Sequence, residues 1–181
     1  MKNLEPLSID QVSDETKEIF NGLKEKIGNV PNVYATIGNS SKALEGVLEL
    51  NQTLSEGEFS GKEVETIALS SAQVNECNYC LSAHTTVGKM QGLTEEETVE
   101  IRNGEIEDKK LKALSELTKQ MVESRGNPDQ KLINNFFEVG YNKAALAELI
   151  GLIAVNAITN YTNHIAETDI DFPVAPELVH A

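Results

Sequence analysis

Two cysteines, Cys77 and Cys80, are the only ones among 181 residues, and His84 follows the second by four positions. At about 100° per helical residue, Cys80 lies about 300° round from Cys77 and His84 about 340°, so the three share one helix face. Cysteines at this spacing hold their Cα atoms about 5–6 Å apart, within disulfide range, and such a pair can open and close. A thiolate is the nucleophile of peroxide and disulfide chemistry, and it is favoured near a helix N-terminus, where unpaired N–H groups stabilise negative charge. Cys80 gains most from this if the helix begins around residues 75–77. One turn on, His84 is placed to take the thiol proton or to stabilise the thiolate. A general base needs a third group to orient it. Glu65, twelve residues before Cys77 on the preceding helix, is the candidate, because an antiparallel helix pair returns its carboxylate toward His84.

Other readings of the same residues stand beside this one. The cysteines could be inert buried thiols. With His84, and with Glu65 as fourth ligand, they could hold zinc, although structural zinc sites usually draw on two separated ligand pairs and no second pair is present. A thioredoxin-type C-x-x-C normally follows a strand in a βαβ unit, which this chain lacks. On spacing alone Glu65 is an ordinary helical carboxylate with Glu63 and Glu76 close by. Tyr79 falls near 200° on the same wheel, away from the cysteine face, and reads as packing. His164 reads as a core or interface histidine and His180 as solvated; neither joins the site.

The elements that must position these residues are helical, and strand signals are weak throughout. Residues 10–27 carry Val12, Ile19, Phe20, Leu23 and Ile27 at helical spacing, with Ser13 or Asp14 as N-cap and Gly28 as stop. Residues 28–34 read as a turn around Pro31, which biases Val30 away from helix. A helix over 41–56 follows, closed by Gly57. Ser60 and Glu63 form a capping box that opens a helix ending near Asn75, and the cysteine helix then runs to Gln91 with Gly92 as its stop. Thr94 and Glu97 repeat the capping pattern before Val99 and Ile101, and Asn103-Gly104 makes a turn. Helices over 109–123, 129–139 and 143 to about 165 complete the chain. The last is apolar nearly all round and is expected to be central or to face another subunit. An extended tail over 169–181 contains Pro173 and Pro176. These pieces predict one all-α domain over 1–181 with about seven to eight helices, in which 1–40 form an N-terminal helix and turn arm. Segment 148–164 also faintly echoes 65–84, without the cysteines.

Composition narrows the function classes. The formal net charge is −14, and clustered Lys/Arg is confined to Lys109, Lys110 and Lys112, which disfavours nucleic-acid and anionic-membrane partners. The amino terminus has no apolar signal region, two cysteines are too few for a secreted disulfide framework, and the apolar stretch 144–158 is short for a bilayer span. A cytoplasmic location is the expectation.

Glu65, Cys77-Asn78-Tyr79-Cys80 and His84 together fit E-x11-C-x-x-C-x-x-x-H, and in this the chain resembles the alkylhydroperoxidase D-like (AhpD-like) branch of the carboxymuconolactone decarboxylase superfamily. Val30-Pro31-Asn32, Asn160-Tyr161-Thr162-Asn163-His164 and 169–173 look like segments of its peroxidase-related members. The resemblance implies an all-α, homo-oligomeric fold with no cofactor and no metal. It also implies a hydroperoxide substrate, a sulfenic-acid-forming Cys80, a resolving Cys77, and a relay of Glu65 and His84. The reductant it implies is a dithiol, such as a lipoyl-bearing adaptor, and a peroxiredoxin is a further partner to which such an enzyme can pass electrons. General dithiol–disulfide exchange and a zinc-binding helical module remain the alternatives. One departure stands out: the best-known AhpD members carry a histidine immediately before the second cysteine, where this chain has Tyr79. The superfamily's decarboxylases generally lack the cysteine pair, so lactone decarboxylation is disfavoured.

Overall fold

The computed structural model describes residues 4–178, and nine helices and no strand occur among them. They are α1 (Asp14–Ile27), α2 (Asn32–Ile37), α3 (Ser41–Ser55), α4 (Gly61–Val74), α5 (Asn78–Met90), α6 (Glu95–Asn103), α7 (Lys109–Glu123), α8 (Gln130–Glu138) and α9 (Lys143–Ala166). Side-chain caps anticipated from the sequence recur here. Ser13 accepts from the Thr16 amide at the start of α1, Thr94 and Glu97 form a capping box on α6, and Gly104 ends α6 in the left-handed conformation at φ 87°. Each satisfies backbone groups that a helix end leaves unpaired.

The additional helix is α2, where the sequence reads as a turn. Pro31 is its N-cap, a place where the missing N–H costs nothing. The N–H groups of its first turn are satisfied from far along the chain: Asn32 N donates to Asp171 Oδ2 at 2.9 Å and Val33 N to the Tyr79 hydroxyl at 3.3 Å. Local propensity cannot register such partners. Val33, Ala35 and Ile37 of α2 and Phe20 of α1 are buried in the core, so α1 and α2 pack into the domain.

The central position belongs to α4, which packs against α5, α6, α7 and α9. Its buried residues include the small Ala68, Ser70, Ser71 and Ala72, which let neighbouring helices approach closely; Ser70 Oγ donates to Ser115 Oγ on α7 at 2.8 Å. Around α4 the core divides in two. Phe20, Leu44, Leu69, Ala72, Cys77 and Cys80 belong to one cluster, and Ile67, Leu114, Leu117, Phe136, Leu149 and Leu152 to the other.

With 24 residues, α9 is long and apolar enough by composition to cross a membrane, longer than the apolar stretch in the sequence suggests. One face, including Leu149, Leu152, Asn156, Asn160 and Asn163, is buried against α2, α3, α4, α5 and α7. The other exposes Ile150, Ile158, Tyr161 and Ile165. Segment 148–164 is therefore one continuous helix, whereas 65–84 is broken between α4 and α5, so the faint echo is not a structural repeat.

After α9, residues 168–178 run without helix or strand as a strap across the domain. Ala175 N donates to Ser82 Oγ at 3.1 Å, and Arg102 Nη1 to the Pro176 carbonyl at 2.6 Å. His180 lies outside the described residues.

Glu63 shows what holds the start of α4. Its carboxylate accepts from Ser60 N at 2.8 Å, Ser60 Oγ at 2.7 Å and the Tyr141 hydroxyl at 2.8 Å, and pairs with Lys110 Nζ at 2.9 Å. Burial by itself raises its pKa, but these bonds from Ser60, Lys110 and Tyr141 outweigh it and hold the carboxyl at about 2 against an ordinary 4.5. A folded-state pKa below the unfolded value adds stability that is complete above about pH 5 and is lost as pH falls toward about 2. E63Q is expected to lower the unfolding free energy at pH 7 by ~2 kcal/mol and to flatten its dependence between pH 5 and 2, as read by urea denaturation across that range.

Candidate active site

The site begins where α4 ends. Asn75 caps α4 with its N–H on the Ser71 carbonyl, Glu76 turns into the left-handed region at φ 54°, and Cys77 N donates to the Ala72 carbonyl at 2.9 Å. That reversal makes Cys77 the N-cap of α5 and not a residue within the helix, as the wheel geometry assumes. The consequence for the pair is small: the Cα atoms are 5.3 Å apart and the sulfurs form a disulfide. Cys80 N donates to Cys77 Sγ at 3.3 Å, so Cys77 fills the capping role that serine fills elsewhere. Cys80 sits in the first turn of α5, where amide dipoles favour negative charge.

Both cysteines are only 2% exposed, and α9 supplies polar partners to them there. Asn160 Nδ2 donates to Cys80 Sγ at 3.0 Å, and Asn163 Nδ2 to Cys80 Sγ at 3.2 Å and to Cys77 Sγ at 3.9 Å. Asn75 Nδ2 donates to Asn160 Oδ1 at 2.8 Å, which orients the Asn160 amide with its nitrogen toward sulfur. Sequence reasoning did not assign either asparagine to the site. The signal was present: Asn156, Asn160 and Asn163 recur at helical spacing on one side of α9, where such residues are either exposed or committed to buried partners, and the latter two are 0% and 6% exposed.

His84, one turn beyond Cys80, has Nδ1 2.8 Å from Glu65 Oε2. A carboxylate only accepts, so Nδ1 carries the proton in this bond and Nε2 is left to exchange one. The antiparallel packing of α4 and α5 thus brings Glu65 to His84 as the spacing predicts, and Glu65 is 7% exposed. His84 and Cys80 line one cavity of about 590 Å³, walled chiefly by Tyr34, Tyr79, Val87 and Phe172. On its other side His84 reaches a second cavity of about 400 Å³ with Glu65, Gln91 and Asn156 in its wall. The relay pair therefore stands between an apolar chamber holding Cys80 and a more polar one. Tyr34 borders both, and its phenol ionises above the ordinary range because of burial and the nearby Glu65 charge.

Tyr79 occupies the position at which the best-known AhpD members place a histidine. Its hydroxyl donates to Asp171 Oδ1 at 2.6 Å and accepts from Val33 N, and its ring meets Phe172 edge-on at 5.7 Å. Burial and the Asp171 bond raise its pKa strongly, so it remains a neutral donor committed to the tail. It packs, as its wheel position indicates, while its ring walls the cavity. His164 is exposed, contrary to a core placement, because Asn160 and Asn163 take the inward face of α9. No group of three or more His, Cys, Asp and Glu side chains among the described residues is placed to share a metal ion, which leaves the zinc reading without a ligand cluster.

The two amide donors to Cys80 have a measurable consequence. In the reduced protein at pH 7, N160A and N163A are each expected to slow alkylation of Cys80 by iodoacetamide several-fold, up to about tenfold, because less thiolate is present. Peptide mass spectrometry over time reads the rate.

Residues 41–120, from α3 into α7, match the carboxymuconolactone decarboxylase family. No match is found among curated proteins. Among solved structures, the chain is similar to an uncharacterized peroxidase-related protein from Silicibacter sp. TM1040, at 20% identity and TM-score 0.78 over 93% of this chain and 92% of that one. It is similar to the AhpD core of an uncharacterized peroxidase-related protein from Ralstonia eutropha JMP134, at 14% identity and TM-score 0.83 over 94% and 92%. It is also similar to a cysteine-to-alanine variant of the debrominase Bmp8 in complex with 2,3,4-tribromopyrrole, at 16% identity and TM-score 0.79 over 94% and 92%. At these identities the likeness to solved structures is one of fold, while the family match covers the helices that carry Glu65, Cys77, Cys80 and His84. Over residues 41–120 the chain thus matches the carboxymuconolactone decarboxylase family, and over most of its length it has the fold of an AhpD core.

Proposed function

We propose that the protein is a thiol-dependent peroxidase of the AhpD type, with Cys80 as nucleophile, Cys77 as resolving thiol, and His84 and Glu65 as proton relay. The observation that carries this reading is the conjunction, around the first turns of α5, of a disulfide-forming pair, two amide donors on Cys80 and an oriented histidine. In the reduced state the Cys80 thiolate attacks one peroxide oxygen, the O–O bond breaks, and the departing alkoxide takes a proton from the His84 side. The Cys80 sulfenic acid is then attacked by the Cys77 sulfur, water leaves, and the disulfide forms. Glu65 holds Nδ1 so that Nε2 handles the proton throughout. A dithiol, free or carried on a lipoyl-type or peroxiredoxin partner, restores both thiols. The exposed Ile150, Ile158, Tyr161 and Ile165 on α9 fit a homo-oligomer better than a monomer.

A second reading is general dithiol–disulfide exchange, in which peroxide turnover is incidental. A third, favoured by the apolar chamber beside Cys80 and by the likeness to a debrominase, is attack of the same thiolate on a halogenated aromatic. Turnover of cumene hydroperoxide, a small disulfide and a brominated pyrrole by one reduced preparation separates the three. Under the proposal the hydroperoxide is consumed fastest, C80S abolishes consumption, and H84N lowers kcat about 10²-fold. Unchanged dithiol-dependent consumption by C80S would contradict it.

A further inference from the structure

The two cysteines of the disulfide line different spaces. Cys80 lines the apolar chamber with His84. Cys77 lines a separate cleft of about 250 Å³, bordered by Glu76, His164, Glu167, Thr168 and Ile170. Tyr79 and Asn163 border both and form the partition. Glu76, His164 and Glu167 are exposed at this cleft. Glu76 is also strained: φ 54° costs an ordinary residue ~1 kcal/mol, and glycine or asparagine takes it more cheaply. A glutamate there holds a carboxylate at the mouth of the cleft, one residue from Cys77. Two residues of the cleft's lining, Asn163 and Thr168, each carry a buried oxygen, Oδ1 and Oγ1, without a hydrogen-bond partner, and Asn163 is 6% exposed.

We infer that the dithiol reductant enters by this second cleft, attacks Cys77 and not Cys80, and is selected for neutral or cationic rather than anionic character. The inference rests on the reading of Cys77 and Cys80 as a cycling pair. In disulfide exchange the sulfur whose thiolate is better stabilised leaves. Cys80 Sγ receives two side-chain amide donors at 3.0 and 3.2 Å, whereas Cys77 Sγ receives the Cys80 backbone N–H at 3.3 Å and a side-chain amide only at 3.9 Å. Attack of the reductant's thiolate on Cys77 Sγ therefore forms a mixed disulfide there, and the electron pair of the broken S–S bond goes to Cys80, which leaves as the nucleophilic thiolate. The reductant's second thiolate then attacks its own bound sulfur and expels Cys77, which takes up a proton. The external dithiol becomes a disulfide, and the protein pair becomes two thiols. Peroxide reacts on the chamber side and reductant on the cleft side, so an oxidised reductant need not leave before the next peroxide enters. The exposed carboxylate of Glu76 at the cleft repels an anionic thiol and favours a cationic one.

The test uses the oxidised full chain and three monothiols of different charge: cysteamine, 2-mercaptoethanol and 2-mercaptoethanesulfonate. Reaction is stopped rapidly in acid, free thiols are blocked with N-ethylmaleimide, and peptides are mapped by mass spectrometry. The expected product carries the thiol on Cys77 and the maleimide on Cys80, at least about tenfold over the reverse. At low ionic strength cysteamine reacts faster than 2-mercaptoethanesulfonate after correction for thiolate fraction, and E76Q narrows that ratio about threefold. Adducts mainly on Cys80, or a ratio untouched by E76Q, would overturn the inference. No peroxide is used, so a protein that fails to consume hydroperoxide still reports which sulfur is attacked, and attack on Cys80 leaves the peroxidase reading standing.

Discussion

A single backbone reversal governs the geometry of the site. Had α4 continued into α5, Cys77 would lie in mid-helix with its amide bonded in register, and Cys80 would lose its place in a first turn. Glu76, at φ 54°, ends α4 and allows Cys77 to restart the chain as an N-cap whose sulfur accepts the Cys80 amide. The same reversal folds α5 back along α4, and that antiparallel return is what brings Glu65 within 2.8 Å of His84. One strained residue thus sets the sulfur environment and the relay together, and the strain is held by the packing of α4 on every side.

The second constraint is the conflict between burial and charge. Thiolate chemistry needs a stabilised anion, yet both sulfurs are shielded from water in the core cluster that contains Phe20, Leu44 and Leu69. Water is replaced here by fixed dipoles, from the first turn of α5 and from Asn160 and Asn163, which cost no reorganisation when charge develops. Of the two α9 asparagines, Asn160 is held in turn by Asn75, itself the cap of α4, which connects its dipole to the backbone reversal. The tail closes the arrangement from outside. Asp171 accepts from both Tyr79 and Asn32, and Phe172 packs on the Tyr79 ring, so the chamber wall beside Cys80 is built from α2, α5 and the strap.

Much of this is readable from local sequence because its causes are local. The capping pairs Ser60/Glu63 and Thr94/Glu97, the stop at Gly104 and the three-residue cysteine spacing act within a turn or two, and they place α4, α5 and α6 correctly. Glu65 follows from one further step, the antiparallel return. What escapes that reading depends on residues far apart. Helix α2 is stabilised by Asp171 and Tyr79, more than forty positions away. Asn160 and Asn163 have meaning only once α9 is laid beside the cysteines, about eighty residues distant. The central role of α4 rests on small side chains, Ser70 and Ala72 among them, which carry little hydrophobic signal yet allow the closest packing.

The proposed chemistry centres on a pair that exchanges two electrons within one chain, Cys80 first and Cys77 second. Titration of the fully reduced protein with hydroperoxide, followed by intact-mass and peptide mass spectrometry, tests it most directly. The predicted result is loss of two hydrogens per chain at one equivalent of peroxide, with the bond mapped between Cys77 and Cys80, and a persistent sulfenic acid on Cys80 in C77S. Two free thiols remaining after excess peroxide, or a sulfenic acid that accumulates on Cys77, would contradict it.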